Sequence, residues 1–309
     1  MAAWNTRHIP RQQGRIAVVT GANSGLGLVT ATELARHGAT VVLAVRDTTA
    51  GRRARDAIRD AVPGAAPEVR ELDLASLASV RAFAKGLTAE FPAIDLLINN
   101  AGVLMLGPPP TTADGFELHM GTHMLGHFAL TGLLLDSLGG GAEAPRVVNI
   151  SSITHRNAHL DFDDLMSRTA HRAGRAYDRS KLAVTAFGLE LDRRLRAAGS
   201  PVLSVLAHPG MSRSNLNPRA YQDRGRIERL TARTVLLLLQ SPSGQGALPQ
   251  LYAATAPGVR GGQFFGPSGF KEVRGRGVQE ARLGAEAAAP GTGRRLWTAA
   301  EELTGVTYL

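Results

Sequence analysis

Apolar residues along this chain gather into short unbroken runs, with longer stretches of mixed character between them. The runs are RIAVVT at 15–20, TVVLAV at 40–45, IDLLINN at 94–100, RVVNIS at 146–151 and PVLSVLAHPG at 201–210, with the more polar EVREL at 68–72 as a third strand between the second and the next. They do not alternate with period two. Each therefore predicts a strand covered on both faces, as in a parallel sheet. Helical patterns fill the gaps: one from GANSGLG through His37, a polar one to about Val62, one from Ser76 to Phe91, one over roughly 114–138, and one from about Arg175 to Ala198. Strand–helix alternation predicts an α/β fold, a doubly wound parallel sheet of six to seven strands with helices on both faces and right-handed crossovers. Residues 1–14 read as an N-terminal extension and 15–309 as a single domain, with no internal repeat. Beyond about 215 the pattern predicts a helix at 226–240, a Gly/Pro-rich segment and a short terminal helix near Trp297.

Composition narrows the function classes. Apolar residues are 44% of the 309, enough for a full core. There is no cysteine, which excludes disulfides, thiol nucleophiles and Cys-ligated metals, and fits a reducing cytoplasm. MAAWNTRHIPRQQGR has no apolar signal region, and no run approaches the ~18 residues of a membrane span. A cytoplasmic chain with no membrane span is expected. The net charge of +9 comes from scattered Arg without a basic block or interleaved aromatics, so no nucleic-acid partner is expected. Of the basic residues 32 are Arg and three are Lys: Lys85, Lys181 and Lys271. Each Lys is therefore informative.

The chemistry starts between the first strand and first helix. TGANSGLG carries Gly21, Gly25 and Gly27, with Asn23, Ser24 and Leu26 among them. Glycine permits positive φ and close approach of backbone to a ligand, and the helix N-terminus behind it offers free N–H groups to a pyrophosphate. The spacing is G-x-x-x-G-x-G rather than G-x-G-x-x-G, and a tight turn with no ligand is the plain alternative. At the end of the second run stands Arg46, with no acid at 44 or 45. Arg suits a ribose 2′-phosphate where an acid would hold a 2′-hydroxyl, so NADP(H) is favoured over NAD(H). Tyr177 and Lys181 are four apart on one helical face. An ammonium there would lower the phenol's pKa and let it pass a proton near neutral pH. Ser151 and Ser152 end the fifth strand, where open α/β sheets bind ligands.

Together TGANSGLG, NNAG at 99–102, NISS, Tyr-x-x-x-Lys and HPG at 208–210 resemble the short-chain dehydrogenase/reductases, a Rossmann-type family. The order and spacing match from about 15 to 216. More narrowly, DLASLASVRAF at 73–83, LGHF, SKLA and the 25-residue gap between Ser152 and Tyr177 resemble the retinol-dehydrogenase-like and protochlorophyllide-reductase-like branch. The tail, with GPSGFKEVRG and RRLWTAAEELTGV, is similar to bacterial members. The resemblance implies that Tyr177 is the general acid, that Lys181 lowers its pKa and holds the nicotinamide ribose, and that Ser152 orients the substrate oxygen. It implies that Asp73 and Leu74 line the adenine, that Asn100, Ala101 and Gly102 pass beside the adenosine, and that Pro209 and Gly210 border the nicotinamide. It also implies a homodimer or homotetramer formed through the helices holding Met124 and Lys181.

Histidines at 119, 123 and 127 raise a separate question. Relatives read G-x-N-H-L-G-H-F here, which sets His123 where the family has a catalytic Asn. Metal binding is disfavoured, since no carboxylate or cysteine set accompanies the spacing. His123 either replaces the Asn, relays protons while titrating near ~6.5, or impairs the site. Functional replacement is favoured because Ser152, Tyr177 and Lys181 are intact. Substrate contacts are expected from 153–175 and from 211–240. These hold Arg156, Arg168, Arg172, Arg175, Arg213 and Arg219, which suggest an anionic or polyphenolic carbonyl, against the plainer reading of exposed Arg in an Arg-rich chain. Three functions are expected in this order: an NADP(H)-dependent carbonyl reductase or alcohol dehydrogenase, an enzyme of another outcome on the same scaffold (an epimerase, a dehydratase, a C=C or C=N reductase), and a non-enzymatic NADP(H)-binding regulator.

Overall fold

The structure is a computed structural model, and it describes residues 4–105, 111–139, 141, 143–169, 171–211 and 242–309. The predicted helix at 226–240, together with Arg213 and Arg219, lies outside the described residues. Eight strands form one sheet in the order β3-β2-β1-β4-β5-β6-β7-β8. They are β1 (Ile16–Thr20), β2 (Thr40–Val45), β3 (Glu68–Glu71), β4 (Leu96–Asn99), β5 (Arg146–Ile150), β6 (Leu203–Ala207), β7 (Phe264–Pro267) and β8 (Val278–Glu280). All neighbours are parallel except β7 and β8. The sheet thus exceeds the expected six to seven strands. The Gly/Pro-rich tail conceals β7 and β8, because a short run containing Gly266 and Pro267 carries little strand signal.

Helices cover both faces. On one side lie α1 (Gly25–Arg36), α2 (Thr48–Ala61), α6 (Ser243–Gly246) and α7 (Leu248–Thr255). On the other lie α3 (Leu77–Glu90), α4 (Gly126–Leu134), α5 (Ala173–Ala197), α8 (Ala285–Ala288) and α9 (Pro290–Thr304). The strands feed two cores in alternation. Val18, Val42, Leu97 and Val147 face α3–α5, while Val19, Leu43, Ile98 and Val148 face α1 and α7. This double burial is why the strands read as continuous apolar runs. The strand order reverses between β1 and β4, which opens a crevice at their carboxyl ends.

The predicted helix at 114–138 starts later and is not regular. Thr111 and Glu117 form a short bridge, and Met120–Leu125 is a π turn that leads into α4. Gly126 N–H reaches back five residues to Gly121 O. The two glycines bring the turn against its neighbours. A Cβ on Gly121 would sit 2.4 Å from Thr112, and one on Gly126 2.4 Å from Leu74 O.

Helix α9 closes the core over α4 and α5. Trp297 meets Phe128 at 5.1 Å and Tyr308 at 4.7 Å between ring centroids, with the Arg194 guanidinium 4.4 Å over its ring. Tyr308 Oη donates to Phe128 O at 3.1 Å. Every residue from Ser180 to Gly188 is buried within the single chain. Replacing Trp297 by Ala empties this cluster and should cost about 3–5 kcal/mol. Urea unfolding followed by circular dichroism measures it, and a loss below about 1 kcal/mol would show that α9 is not integral to the core.

Candidate active site

The loop between β1 and α1 is shaped for close approach. Gly21 and Gly25 have φ of +66° and +56°. A Cβ on Gly27 would lie 2.5 Å from Gly21 O and 2.6 Å from Asn100 Nδ2. Ser24 caps α1 without a side-chain hydrogen bond to it. Its hydroxyl and the first N–H groups of the helix are therefore placed to receive an anion. Asn23 and Leu26 complete the half-exposed turn. Thr20, which the sequence reading passed over, organises the opposite wall. Its Oγ1 accepts N–H from Asn100 and Ala101, both at 2.9 Å, and Asn100 Nδ2 donates to Thr20 O at 2.8 Å. Gly102 follows, where a Cβ would lie 3.2 Å from His123 Nε2 and 3.9 Å from Lys181 Nζ. Arg46 is exposed beyond the end of β2. Asp73 is half-buried after β3 and accepts Ala75 N–H at 3.0 Å, beside buried Leu74. Pro209 and Gly210 leave the end of β6 half-buried. All of these lie at the carboxyl end of the sheet.

The two serines separate. Ser151 Oγ is buried against α5, bonded to Thr185 Oγ1 at 2.7 Å and to Lys181 O at 3.1 Å. Ser152 is half-buried, accepts from Thr154 Oγ1 at 3.1 Å and acts on the Tyr177 phenol to lower its pKa. Lys181 Nζ donates to Ile150 O at 3.0 Å and sits 5.8 Å from the Tyr177 ring centroid. Burial pulls the Lys181 ammonium down to about 8. Burial pushes the Tyr177 phenol up to about 12, against the Ser152 hydrogen bond that lowers it. This runs against the expectation that Lys181 lowers Tyr177: burial of the phenolate dominates, and Ser152 rather than Lys181 opposes it. The phenol is held protonated, as a proton donor to a carbonyl oxygen must be.

The histidine row is a set of struts. His123 Nε2 accepts Val103 N–H at 2.8 Å, so its proton is on Nδ1, which donates to Ser180 Oγ at 2.8 Å. Ser180 Oγ in turn donates to Tyr177 O at 2.6 Å. His123 therefore ties the loop after β4 to the backbone that carries Tyr177. Burial, with Lys181 nearby, drops its pKa well below the usual value, so a proton relay that charges near 6.5 does not fit. His119 packs edge-on to Tyr177 at 6.0 Å, receives Met105 N–H at 3.2 Å and donates to Glu117 Oε1 at 2.7 Å. His127 Nδ1 donates at 2.9 Å to the His123 carbonyl, and its Nε2 meets Thr20 Oγ1 at 3.0 Å. Four-residue spacing into and out of the π turn gives three rings with separate tasks, which periodicity could not foresee. Among the arginines expected near the substrate, Arg168, Arg172 and Arg175 are exposed, while Arg156 pairs with buried Glu272.

Residues 15–225 match the short chain dehydrogenase family model. The chain belongs to that family. It is 41% identical to polyprenol dehydrogenase of Mus musculus over 306 residues, spanning 96% of this chain and 86% of that protein. It is 39% identical to retinol dehydrogenase 12 of Homo sapiens over 301 residues, 96% of this chain and 88% of that one. A crystal structure of an uncharacterised protein from Mycobacterium paratuberculosis superposes with a TM-score of 0.81 at 40% identity and covers all of both chains. These place the chain in the retinol-dehydrogenase-like branch and make it an NAD(P)-dependent oxidoreductase by family.

The buried imidazoles couple stability to pH. Burial pushes His127 down to about 4, whereas an unfolded His titrates near ~6.5. Between these values the unfolded chain binds the extra proton, so stability is full above 6.5 and falls as pH drops toward 4. From pH 7.5 to 5 this one group should remove roughly 2 kcal/mol. Urea titrations of wild type and His127→Gln at the two pH values should show that the variant loses less. Equal losses would mean that His127 is charged in the native state.

Proposed function

We propose that the chain is an NADP(H)-dependent oxidoreductase that interconverts a carbonyl and an alcohol, with Tyr177 as general acid and base. One observation carries this reading: the half-buried Tyr177 phenol, which Ser152 influences, stands one helical turn from the buried Lys181 ammonium, at the same sheet end as the Gly21–Gly27 turn. The cofactor supplies a hydride when bound. Gly21, Asn23, Ser24, Gly25, Leu26 and Gly27 take its pyrophosphate, and Arg46 its 2′-phosphate. Asp73 and Leu74 line the adenine, while Asn100, Ala101 and Gly102 form the wall beside the adenosine. Tyr177 and Lys181 hold the nicotinamide ribose, and Pro209 and Gly210 border the ring. The residues fit such a ligand, since the Gly21–Gly27 turn packs too tightly for side chains and Ser24 leaves the start of α1 without a side-chain cap.

In reduction Ser152 orients the substrate oxygen and Tyr177 delivers the proton to it. Lys181 favours the phenolate that results. His123 takes the place of the family Asn as a strut, through Val103 and Ser180. Substrate contacts come from the 153–175 segment, while the 211–240 segment, apart from Met211, lies outside the described residues. The names of the two relatives support an extended apolar alcohol or its aldehyde. With Arg156 committed to Glu272, the anionic or polyphenolic class loses one of its supports. A cytoplasmic location is supported by the absence of cysteine, and among the described residues no helix is long and apolar enough to cross a membrane. A homodimer or homotetramer would use surface outside the buried 180–188 stretch. The similarity to the mycobacterial protein and the Arg-rich, Lys-poor composition support a bacterial type.

A second reading follows from His123. Both its ring nitrogens are engaged inside the protein, so its side chain offers no free link from Lys181 to solvent, and a catalytically weak NADP(H)-binding regulator fits that arrangement. Oxidation of NADPH over a panel of isoprenoid aldehydes, quinones and cyclic ketones decides between them. Wild type should turn over at least one. Tyr177→Phe should then lose roughly 10²- to 10⁴-fold in kcat, while cofactor affinity falls by no more than about tenfold through the lost ribose contact. Cofactor binding without turnover on any carbonyl moves the regulator ahead. On the same preparation, Arg46→Ala should weaken NADPH far more than NADH, and equal losses would sink the assignment of the 2′-phosphate to Arg46.

A further inference from the structure

One carboxylate far along the chain holds both loops of the site. Glu272 is 4% exposed and lies just after β7, within the GPSGFKEVRG tail and beyond the family motifs of residues 15–216. Burial would raise its pKa, but hydrogen bonds from His208 and Arg156 hold it down to about 2. Glu272 Oε2 accepts from His208 Nε2 at 3.0 Å and from the Arg156 guanidinium. Its Oε1 accepts Arg282 N–H at 3.2 Å. The backbone is forced to place it there. Lys271 and Glu272 have φ of +49° and +59°, a conformation that two successive non-glycine residues keep only where their surroundings dictate it.

The His208 ring passes this anchor to the exit of β6. Gly210 N–H donates to His208 Nδ1 at 3.2 Å, so the ring's proton is on Nε2 and points at Glu272. Gly266 makes room for the ring: a Cβ there would lie 2.3 Å from His208 Nε2. The tail also grips the turn directly, since Met211 N–H donates to Val273 O at 2.7 Å and a Cβ on Gly210 would strike that oxygen at 2.3 Å. The same tail holds the Ser152 segment. His155 Nδ1 donates to Ser152 O at 2.6 Å, and Gly284 N–H donates to His155 Nε2 at 3.1 Å. Arg156 Nε reaches Arg282 O at 3.0 Å.

The β4–β6 half of a doubly wound sheet receives the second nucleotide of a dinucleotide, and both gripped segments are in that half. We infer that Glu272 is a positioning residue for the nicotinamide end of the cofactor: through His208 and Arg156 it fixes the Pro209–Gly210 turn and the Ser152 segment relative to each other. This rests on the reading of the chain as an NADP(H) oxidoreductase. It assigns the tail a task in cofactor placement and leaves adenosine binding to the β1–β3 half.

The test compares two probes on purified protein: NADPH, by its fluorescence, and 2′,5′-ADP, which carries only the adenosine end, by calorimetry. In Glu272→Gln, NADPH affinity should fall roughly tenfold, the loss of one charge-assisted hydrogen bond, while 2′,5′-ADP affinity stays at the wild-type value. Gly266→Ala displaces the His208 ring from its other side and should give the same selective loss. It carries the comparison alone if Glu272→Gln does not fold. Equal losses for both probes, or unchanged NADPH affinity, would overturn the inference by reducing Glu272 to a general structural anchor or to no role. Wild type that binds neither probe would instead defeat the oxidoreductase reading.

Discussion

Removal of the middle of α5 from water is the constraint on which the site depends. The helix has the sheet beneath it and α9 above it, which buries Lys181 and half-buries Tyr177, so both titrate in a medium that penalises charge. Burial lowers one and raises the other. At neutral pH this leaves the Tyr177 proton in place and the Lys181 ammonium weakly held, bonded to Ile150 O. The aromatic packing of Trp297, Phe128 and Tyr308 is therefore part of the chemistry, because it keeps the helix covered.

Buried polar groups near α5 must be satisfied, and imidazole does much of this work. His123, His127, His155 and His208 each join two backbone or side-chain groups that would otherwise be orphaned. A neutral imidazole suits the task, with one donor and one acceptor held at a fixed angle. The cost falls at low pH, where each ring would gain a charge it cannot hydrate. Two of these struts lie on either side of the crevice, His127 beside Thr20 on the phosphate-loop side and His208 between Gly210 and Glu272 on the other. The same chemistry thus stiffens both halves of the site.

Much of the candidate site was legible in the chain because it is made of local signals. Gly21, Gly25 and Gly27 sit on a strand–helix junction, and Tyr177 and Lys181 are one helical turn apart. Such features depend on neighbours within a few residues. The π turn at Met120–Leu125 was not legible, since its residues satisfy an ordinary helical pattern, and Gly121 and Gly126 reveal their purpose only against Thr112 and Leu74. Strands β7 and β8 were hidden for a related reason: their stability comes from pairing with β6 and each other, while their own residues favour turns.

By itself the sequence determined the parallel α/β architecture, the phosphate-loop turn and the pairing of Tyr177 with Lys181. Each follows from hydrophobic period, glycine placement or spacing along one element, all properties of contiguous residues. Tertiary structure alone decided which serine meets Tyr177, which way its pKa moves, how His123 is used and that Glu272 joins the tail to His208 and Arg156. Those outcomes depend on burial and on groups that are remote in the chain, such as Arg156 and Glu272. Only the folded sheet brings such groups within hydrogen-bonding distance.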